Sequence, residues 1–381
     1  MAKINFSSIF IAYKKIHYIC TQIHFRKTML KKLNFLAIVM LFLITLANAQ
    51  QQQLKMALVG FYNLENLYDT INDPDKNDEE FLPQGKNAWN TEKYITKLHN
   101  MAYAISTIGT DKSEKFCSPD GLMVLGVSEI ENRYVLEDLV AQPELASRNY
   151  QIVHYDSPDR RGVDVALLYN PKFFKVTNHK SYRLNVPNQP NFISRDQLVV
   201  TGILDDEEFS FIVMHWPSRY GGEKRSLPGR MAAAHLCRHI ADSIMEKNPN
   251  AKIVMMGDYN DYPTNKSIID GLRAKGRVED MKEGDFFNPM WKMHQNGEGT
   301  NYYRDVKGVL DQCIITPALL KDENNPFATY QLFKPMVHSK EFLKQHDGRY
   351  NGYPWRSFAG GVWLGGYSDH FPVYLILLKR L

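Results

Sequence analysis

Asp258 and Asn260, a carboxylate and an amide two residues apart, stand where an apolar run, Ala251 to Met256, gives way to Gly257-Asp258-Tyr259-Asn260-Asp261-Tyr262-Pro263. The run reads as a buried strand, and Gly257 permits close backbone approach at its end. In open α/β sheets ligands bind in the crevice beyond the carboxyl ends of strands. There a carboxylate can hold a cation or a water, and an amide can bond an anionic oxygen. An isolated Asp-x-Asn is more often a solvated turn, so its weight depends on what gathers at other strand ends. Asn63 and Glu65 follow the run Met56 to Tyr62, and Glu129 follows Leu122 to Val127. His215 closes Phe209 to His215. Asp311 lies inside the apolar run Val309 to Ile315, and Asp369-His370 precedes the last run, Phe371 to Lys379.

Taken singly, Glu129 fits a helix-start carboxylate and His215 a satisfied strand-end histidine. Asp311 is harder to set aside, because an unpaired acid inside an apolar strand costs on the order of several kcal/mol. Histidine is a natural partner, since its second nitrogen stays free for chemistry, and His370 offers one. Together these residues suit a phosphate diester. Glu65, Glu129 and Asp369 are hard oxygen ligands for Mg²⁺, Mn²⁺ or Ca²⁺. A cation on a phosphoryl oxygen offsets charge that builds in the transition state. Asn63 and Asn260 can bond phosphate oxygens, His215 and His370 can donate to them or move protons, and Asp258 can orient and activate water.

The elements that must hold these groups follow from periodicity. Strands are expected at Met56–Tyr62, Leu122–Val127, Tyr150–Tyr155, Val163–Tyr169, Phe174–Leu184, Gln197–Leu204, Phe209–His215 and 251–256. Closing strands are expected at Thr300–Tyr303, Val309–Thr316, Thr329–Phe333 and Phe371–Lys379. Asp205-Asp206-Glu207-Glu208 reads as a hairpin turn. A helix from Thr91 to about Ile108 carries Tyr94, Leu98, Met101 and Ile105 at helical spacing, and a short one carries Val135, Leu136 and Leu139. Pro228 to Lys247 is the clearest helix, with another from about Asn265 to Ala274. Many strands with few helices, and no repeat or linker, predict two stacked sheets with helices outside, in one α/β domain.

The motifs, in this order, resemble those of the endonuclease/exonuclease/phosphatase superfamily, which includes pancreatic-type deoxyribonuclease, abasic-site endonucleases, bacterial sphingomyelinases and inositol polyphosphate phosphatases. Asn63 and Glu65 match its N-x-[DE], Ser128-Glu129 its metal-binding Glu, and His215 in His-Trp-Pro-Ser its middle-strand His. Gly257-Asp258-Tyr259-Asn260 matches G-D-x-N, and Ser368-Asp369-His370 matches S-D-H. The resemblance spans nearly all of residues 55–381. It implies a deoxyribonuclease-like four-layer sandwich, two mixed β-sheets flanked by helices, and divalent-metal-dependent phosphoester hydrolysis. It also implies that Glu129 is the main metal ligand, with Glu65, Asn63 and Asp369 around the cation. Asp258 would prepare the water and Asn260 position it or the phosphate. His370, supported by Asp311, and His215 would stabilise the pentavalent phosphorus or protonate the leaving oxygen.

Other candidates are less specific. Arg161 can reach a phosphate from a strand start or sit in a solvated turn. Arg219 to Arg230, with Arg219 and Arg225, is a phosphate-facing loop or a helix entrance. The long insert between Asp311 and Asp369 holds Trp355, Arg356 and further rings, which stack bases, touch a lipid surface or pack the loop down.

Net charge narrows the partners. Seven of the 46 Lys/Arg and none of the 42 Asp/Glu fall in residues 1–49. What remains, 39 basic against 42 acidic residues, has a net charge of −3 and lacks the basic footprint of a tight nucleic-acid binder. Met29-Leu30-Lys31-Lys32, the apolar run Leu33 to Leu46 and Ala47-Asn48-Ala49 read as a signal peptide starting at Met29 and cleaved after Ala49. The run is short for a membrane span. Residues 50–381 then form a single catalytic domain, exported to the periplasm or outside the cell and acting as a monomer. The three remaining cysteines, Cys117, Cys237 and Cys313, support neither a disulfide framework nor a zinc site. The expected function is an exported metal-dependent phosphodiesterase acting on nucleic acid as an endonuclease. Hydrolysis of a phospholipid, inositol or sugar phosphate, or phosphate-ligand binding without turnover, are the alternatives.

Overall fold

The computed structural model describes residues 14–15, 17–19, 22, 26–27, 29–40 and 53–381. Residues 29–40 are helical. Among the described residues no helix is long and apolar enough to cross a membrane. The expected cleavage pattern Ala47-Asn48-Ala49 and residues 41–46 of the apolar run lie outside the described residues.

Leu54–Arg380 form one compact unit. One six-stranded sheet is built from β1 (Leu54–Leu67), β2 (Val124–Ile130), β3 (Gln151–His154), β4 (Asp164–Tyr169), β14 (Gln331–Val337) and β17 (Val373–Arg380). Its order is β14-β17-β1-β2-β4-β3. A seven-stranded sheet, ordered β5-β6-β7-β8-β13-β10-β9, joins β5 (Phe174–Tyr182), β6 (Gln197–Leu204), β7 (Glu207–His215) and β8 (Lys252–Asp258) to β9 (Ala274–Lys275), β10 (Phe286–Phe287) and β13 (Asp311–Ile315). Two small hairpins stand apart: β11–β12 (Asn301–Tyr303, Val306–Gly308) and β15–β16 (Phe358–Ala359, Val362–Trp363).

The layering follows from strand parity. Successive side chains of a strand point to opposite faces. In β8, Val254 and Met256 pack between the sheets with Val59, Phe61 and Val213, while Ile253 and Met255 pack outward. The outward face meets helix α4 (Glu223–Met245) through Ala233, Cys237 and Ile240. On the other side, α1 (Thr91–Thr107) and α2 (Arg133–Val140) cover β1 and β2 with Leu98, Met101, Ile105 and Leu136. Both sheets are thus buried on two faces, giving helix, sheet, sheet and helix, the four-layer deoxyribonuclease-like sandwich. Cys117, Cys237 and Cys313 are free thiols.

Three elements differ from expectation. β1 runs on to Leu67, so Asn63–Asn66 lie within the strand. Helix α4 begins at Glu223, with Pro228 inside it. Buried Arg230 holds that added turn, donating to the Glu223 carbonyl at 3.1 Å and to Ser226 Oγ at 2.8 Å. The helix expected over Asn265–Ala274 is a single π turn, Ser267–Gly271, because Ala274 already enters β9. Gly271 also packs so close to α4 that an added Cβ would lie 2.8 Å from Ala234.

Candidate active site

Asn63, His215, Asp258 and Asp311 continue the stripe that faces the opposite sheet. Each follows an inward apolar residue at a spacing of two, after Phe61, Val213 and Met256 and before Cys313. Polar groups therefore appear where the inter-sheet core ends. Parity alone does not deliver Glu129. Leu125 and Val127 point to the helices, and Glu129 would follow them. A bulge between Ser128 and Ile130, with Glu129 at φ 58°, turns its side chain back to the site. A second irregularity in β1 sets Glu65 at φ 48° and Asn66 at φ 53°, and Asn260 after β8 has φ 50°. Such left-handed non-glycine residues cost about 1–3 kcal/mol each and cluster at functional sites.

Asn63 Nδ2 donates to Glu129 Oε1 at 3.3 Å and to Asp258 Oδ2 at 3.2 Å. Its Oδ1 accepts the Glu65 N–H at 2.9 Å, and the Asn66 N–H donates to Glu129 Oε2 at 3.1 Å. His215 Nε2 lies 3.5 Å from Asp258 and 3.8 Å from Glu129. His370 Nδ1 lies 2.7 Å from Asp311 Oδ2, which leaves Nε2 directed at the site, 3.9 Å from Asp258 and 3.9 Å from Asp369. The Asn260 N–H donates to Asp258 Oδ1 at 2.9 Å, and Asn260 Nδ2 to the Trp216 carbonyl at 3.0 Å. Ser368 Oγ ties the last loop to β1 through the Asn63 carbonyl at 2.7 Å.

The surroundings push the two histidines in opposite directions. Burial, then the cations of Arg195, Arg161 and His370, push His215 well below the usual histidine pKa. For His370 burial acts the same way, but Asp311, Asp369 and Asp258 outweigh it and raise its pKa well above the ordinary value. Burial raises Asp258 to about 7, partly opposed by His370. Glu65 is also raised to about 7, by burial and then Asp369, against Lys97 and Arg356.

Glu65 and Asp369 gather on the other flank around Arg356. Its guanidinium lies 3.4 Å from Glu65 Oε1 and 2.8 Å from Asp369 Oδ2, and the Ser357 N–H donates to Glu65 Oε2 at 2.6 Å. Two carboxylate–histidine groups have donor atoms within 4.8 Å of one another at the site: Glu129, His215 and Asp258, and Asp258, Asp311 and His370. Glu65 and Asp369 belong to neither. The donor set fits a hard divalent cation. It is oxygen-rich, anionic and partly buried, and Glu129 accepts hydrogen bonds from the Asn63 amide and the Asn66 N–H, with Arg161, Arg195 and Lys97 acting on it from beyond ion-pair contact.

Among the remaining candidates, Arg161 acts on this centre, its charge felt by Glu129 and His215. Arg219 braces the loop after β8, donating to the Asn260 carbonyl at 2.8 Å and meeting Asp261 at 3.1 Å. Arg225 is exposed on α4. Arg161 is half exposed, 3.5 Å from Asp159. Trp355 packs edge-on against Tyr367 at 5.9 Å. Two buried cations escaped sequence reading. Lys97, on the apolar face of α1, bonds Ser357 Oγ at 2.6 Å and lies 3.9 Å from Glu65. Its place between Tyr94 and Met101 on the helical stripe was a usable signal. Arg195 donates to the Trp216 carbonyl at 2.7 Å and to Asp159 at 3.1 Å, and no periodicity marks it.

A model of the endonuclease/exonuclease/phosphatase family matches residues 58–379. No curated protein matches. Among solved structures, a protein of that family from Bacteroides thetaiotaomicron shares 16% identity at a TM-score of 0.51, over 86% of this chain and 100% of its own. A mannosyl-6-phosphatase from Bacteroides thetaiotaomicron VPI-5482 shares 15% at 0.50, over 84% of this chain and 99% of its own. TDP2 of D. rerio, complexed with a single-strand DNA product, shares 10% at 0.50, over 85% of this chain and 99% of its own. Identities this low establish a common fold.

Proposed function

The chain belongs to the endonuclease/exonuclease/phosphatase family, a family of divalent-metal-dependent phosphoester hydrolases, and from that premise we propose that it cleaves phosphodiester bonds of nucleic acid outside the cytoplasm. The observation that carries the chemistry is the convergence on Asp258 of two histidines, one of them backed by Asp311. His370, cationic and oriented by Asp311, presents an Nε2–H to a phosphoryl or leaving oxygen. His215 is neutral, so it can accept or donate a hydrogen bond without adding charge. Asp258, with a pKa near neutrality, is suited to take a proton from water. Asn260 and Asn63 fix its two oxygens, and Asn63 also orients Glu129.

Glu129 would hold the cation, Mg²⁺ or Mn²⁺ with Ca²⁺ as a third choice, with Asp258 the carboxylate gathered closest to it and Asn63, Glu65 and Asp369 as the expected further ligands, the last two now turned toward Arg356. Bound there, the ion supplies positive charge to the phosphoryl oxygens in the transition state. Arg356 stands between Glu65 and Asp369 and offers a planar fork for a phosphate.

Export is part of the reading. Its support is the cationic start at Met29, the apolar run and Ala47-Asn48-Ala49. Amino-terminal sequencing of the secreted chain tests it, with Gln50 expected as the first residue.

For the activity, plasmid and single-stranded DNA, RNA, sphingomyelin, mannose 6-phosphate and an inositol phosphate are offered side by side with Mg²⁺, Mn²⁺ or Ca²⁺ and an EDTA control. The solved sugar phosphatase of the same fold makes the fifth substrate a necessary arm. Metal-dependent cleavage of nucleic acid supports the proposal. Turnover of a lipid or sugar phosphate alone moves the substrate, and no turnover by folded protein favours a ligand-binding role.

A further inference from the structure

The insert between Asp311 and Asp369 and the β11–β12 hairpin enclose a cleft of about 560 Å³ beside Arg356. Both walls are tied to the catalytic segment. Asn301 of β11 bridges to His370, its amide donates to the Asp369 carbonyl at 2.9 Å, and the Phe371 N–H bonds the Thr300 carbonyl at 2.7 Å. The opposite wall carries Arg356, whose guanidinium meets Asp369. A molecule in the cleft therefore lies against the same phosphate site.

The lining is unusual for a surface that only packs a loop down. Tyr303 is 64% exposed and Tyr350 48% exposed. Tyr353 stands edge-on to Tyr350 at 5.4 Å and is anchored by its hydroxyl to Asp305. Arg304 lies 5.2 Å from the centre of the Tyr303 ring and Arg349 5.8 Å from that of Tyr350. Arg304, Arg349 and Arg356 line the cleft with one acid, Asp305, which Arg349 meets at 3.4 Å, while Arg356 is paired behind the cleft with Glu65 and Asp369. Among the lining residues cations outnumber acids, although the chain after residue 49 is net negative. Rings interleaved with cations along a groove suit single-stranded nucleic acid, whose bases stack on aromatic faces while its backbone meets positive charge. A lipid surface would find little aliphatic lining, only Ala359 and Leu364 beside Pro354.

We propose that this cleft holds an unpaired base next to the scissile phosphate, with Tyr303 and Tyr350 as stacking faces and Arg304 and Arg349 against the adjoining phosphate. The proposal rests on the phosphodiesterase reading and adds that the strand is single where it is cut. It places the stacking surface on the two tyrosines rather than on Trp355, which is not among the residues lining the cleft.

The test uses the full chain and two oligomers of equal length, oligo-dT and one with tetrahydrofuran in place of every base. Binding is measured in EDTA, and cleavage separately with Mn²⁺. Tyr303→Ala and Tyr350→Ala should each weaken oligo-dT binding about tenfold more than binding of the abasic oligomer. Tyr303→Phe and Tyr350→Phe should restore the wild-type ratio, which sets stacking apart from misfolding. Equal losses on both oligomers, no loss on either, or wild-type preference for duplex over single-stranded DNA would overturn the proposal. If the base-dependent contrast holds in EDTA but neither oligomer is cut, the hydrolase reading fails and the cleft assignment stands. If both oligomers are cut and the contrast is missing, the cleft assignment fails and the hydrolase reading stands.

Discussion

Asn63, His215, Asp258 and Asp311 are carried by central strands of the two sheets and extend the inward stripe of the core. Arg356 and Tyr350 are carried by the insert between Asp311 and Asp369, and Tyr303 by the β11–β12 hairpin beside it, a wall of small hairpins and single turns. On the strand side every position is over-determined: the ladder fixes register, and one inward residue in two is already committed to packing. On the insert side the groups are held by a few tethers, among them Lys97 to Ser357 and Asn301 to Asp369. The contrast assigns chemistry, which tolerates little displacement, to the rigid wall, and substrate choice to the wall whose sequence can change without disturbing a sheet.

The largest effect that would break this division is on turnover. His370→Ala should lower kcat by about 10³-fold in steady-state cleavage and also lower the melting temperature, because buried Asp311 loses its partner, while the variant remains folded at the assay temperature. A variant with near wild-type turnover would place the chemistry elsewhere.

Scaffold stability should respond to pH through a group remote from that dyad. His338 is buried, 2.9 Å from Thr107 Oγ1, and burial, then Lys340, lowers its pKa from 6.5 to about 4. The folded state favours the neutral ring, so the unfolded chain binds more protons between those values. Its contribution is complete above pH 6.5 and is lost as pH falls toward 4, by up to about 3 kcal/mol. Denaturant midpoints from pH 7 to 4.5 should show the loss, and His338→Asn should flatten it.

A smaller effect probes the packing between sheets. At Gly126 in β2 an added Cβ would meet Met256 Sδ at 2.8 Å and Val213 at 3.0 Å. Gly126→Val should cost about 1–3 kcal/mol in urea unfolding. The smallest effect is expected on the insert side. Arg356→Lys keeps the charge but loses the fork between Glu65 and Asp369, and should raise KM about fivefold with kcat within twofold.

What could be read in advance follows the same division. Alternation in β8 and β13 placed Asp258 and Asp311 at a strand end and in a buried strand, because period two leaves only one inward set. Pairing of Asp311 with a histidine followed from the cost of an isolated buried acid. The bulge that redirects Glu129 was not legible, since no residue type demands it there. The helix expected from about Asn265 is cut short, because Gly271 packs closely on α4 and Ala274 enters β9, leaving room for one turn. Pro228 looked like a first helical residue, whereas Arg230 and Asp261, 2.7 Å apart, brace an earlier start. Arg195 is legible only in three dimensions, because burial of a charge depends on partners distant in sequence.

The central claim is that Glu129 and the strand-end groups around it form a metal-dependent phosphodiesterase centre. Cleavage of a single-stranded oligonucleotide by wild type and Glu129→Gln, across Mn²⁺ concentrations and with EDTA, tests it most directly. The account predicts metal-dependent cleavage by the wild type, abolished by EDTA, and a folded variant inactive at every Mn²⁺ concentration. Undiminished, EDTA-resistant cleavage by Glu129→Gln would contradict it.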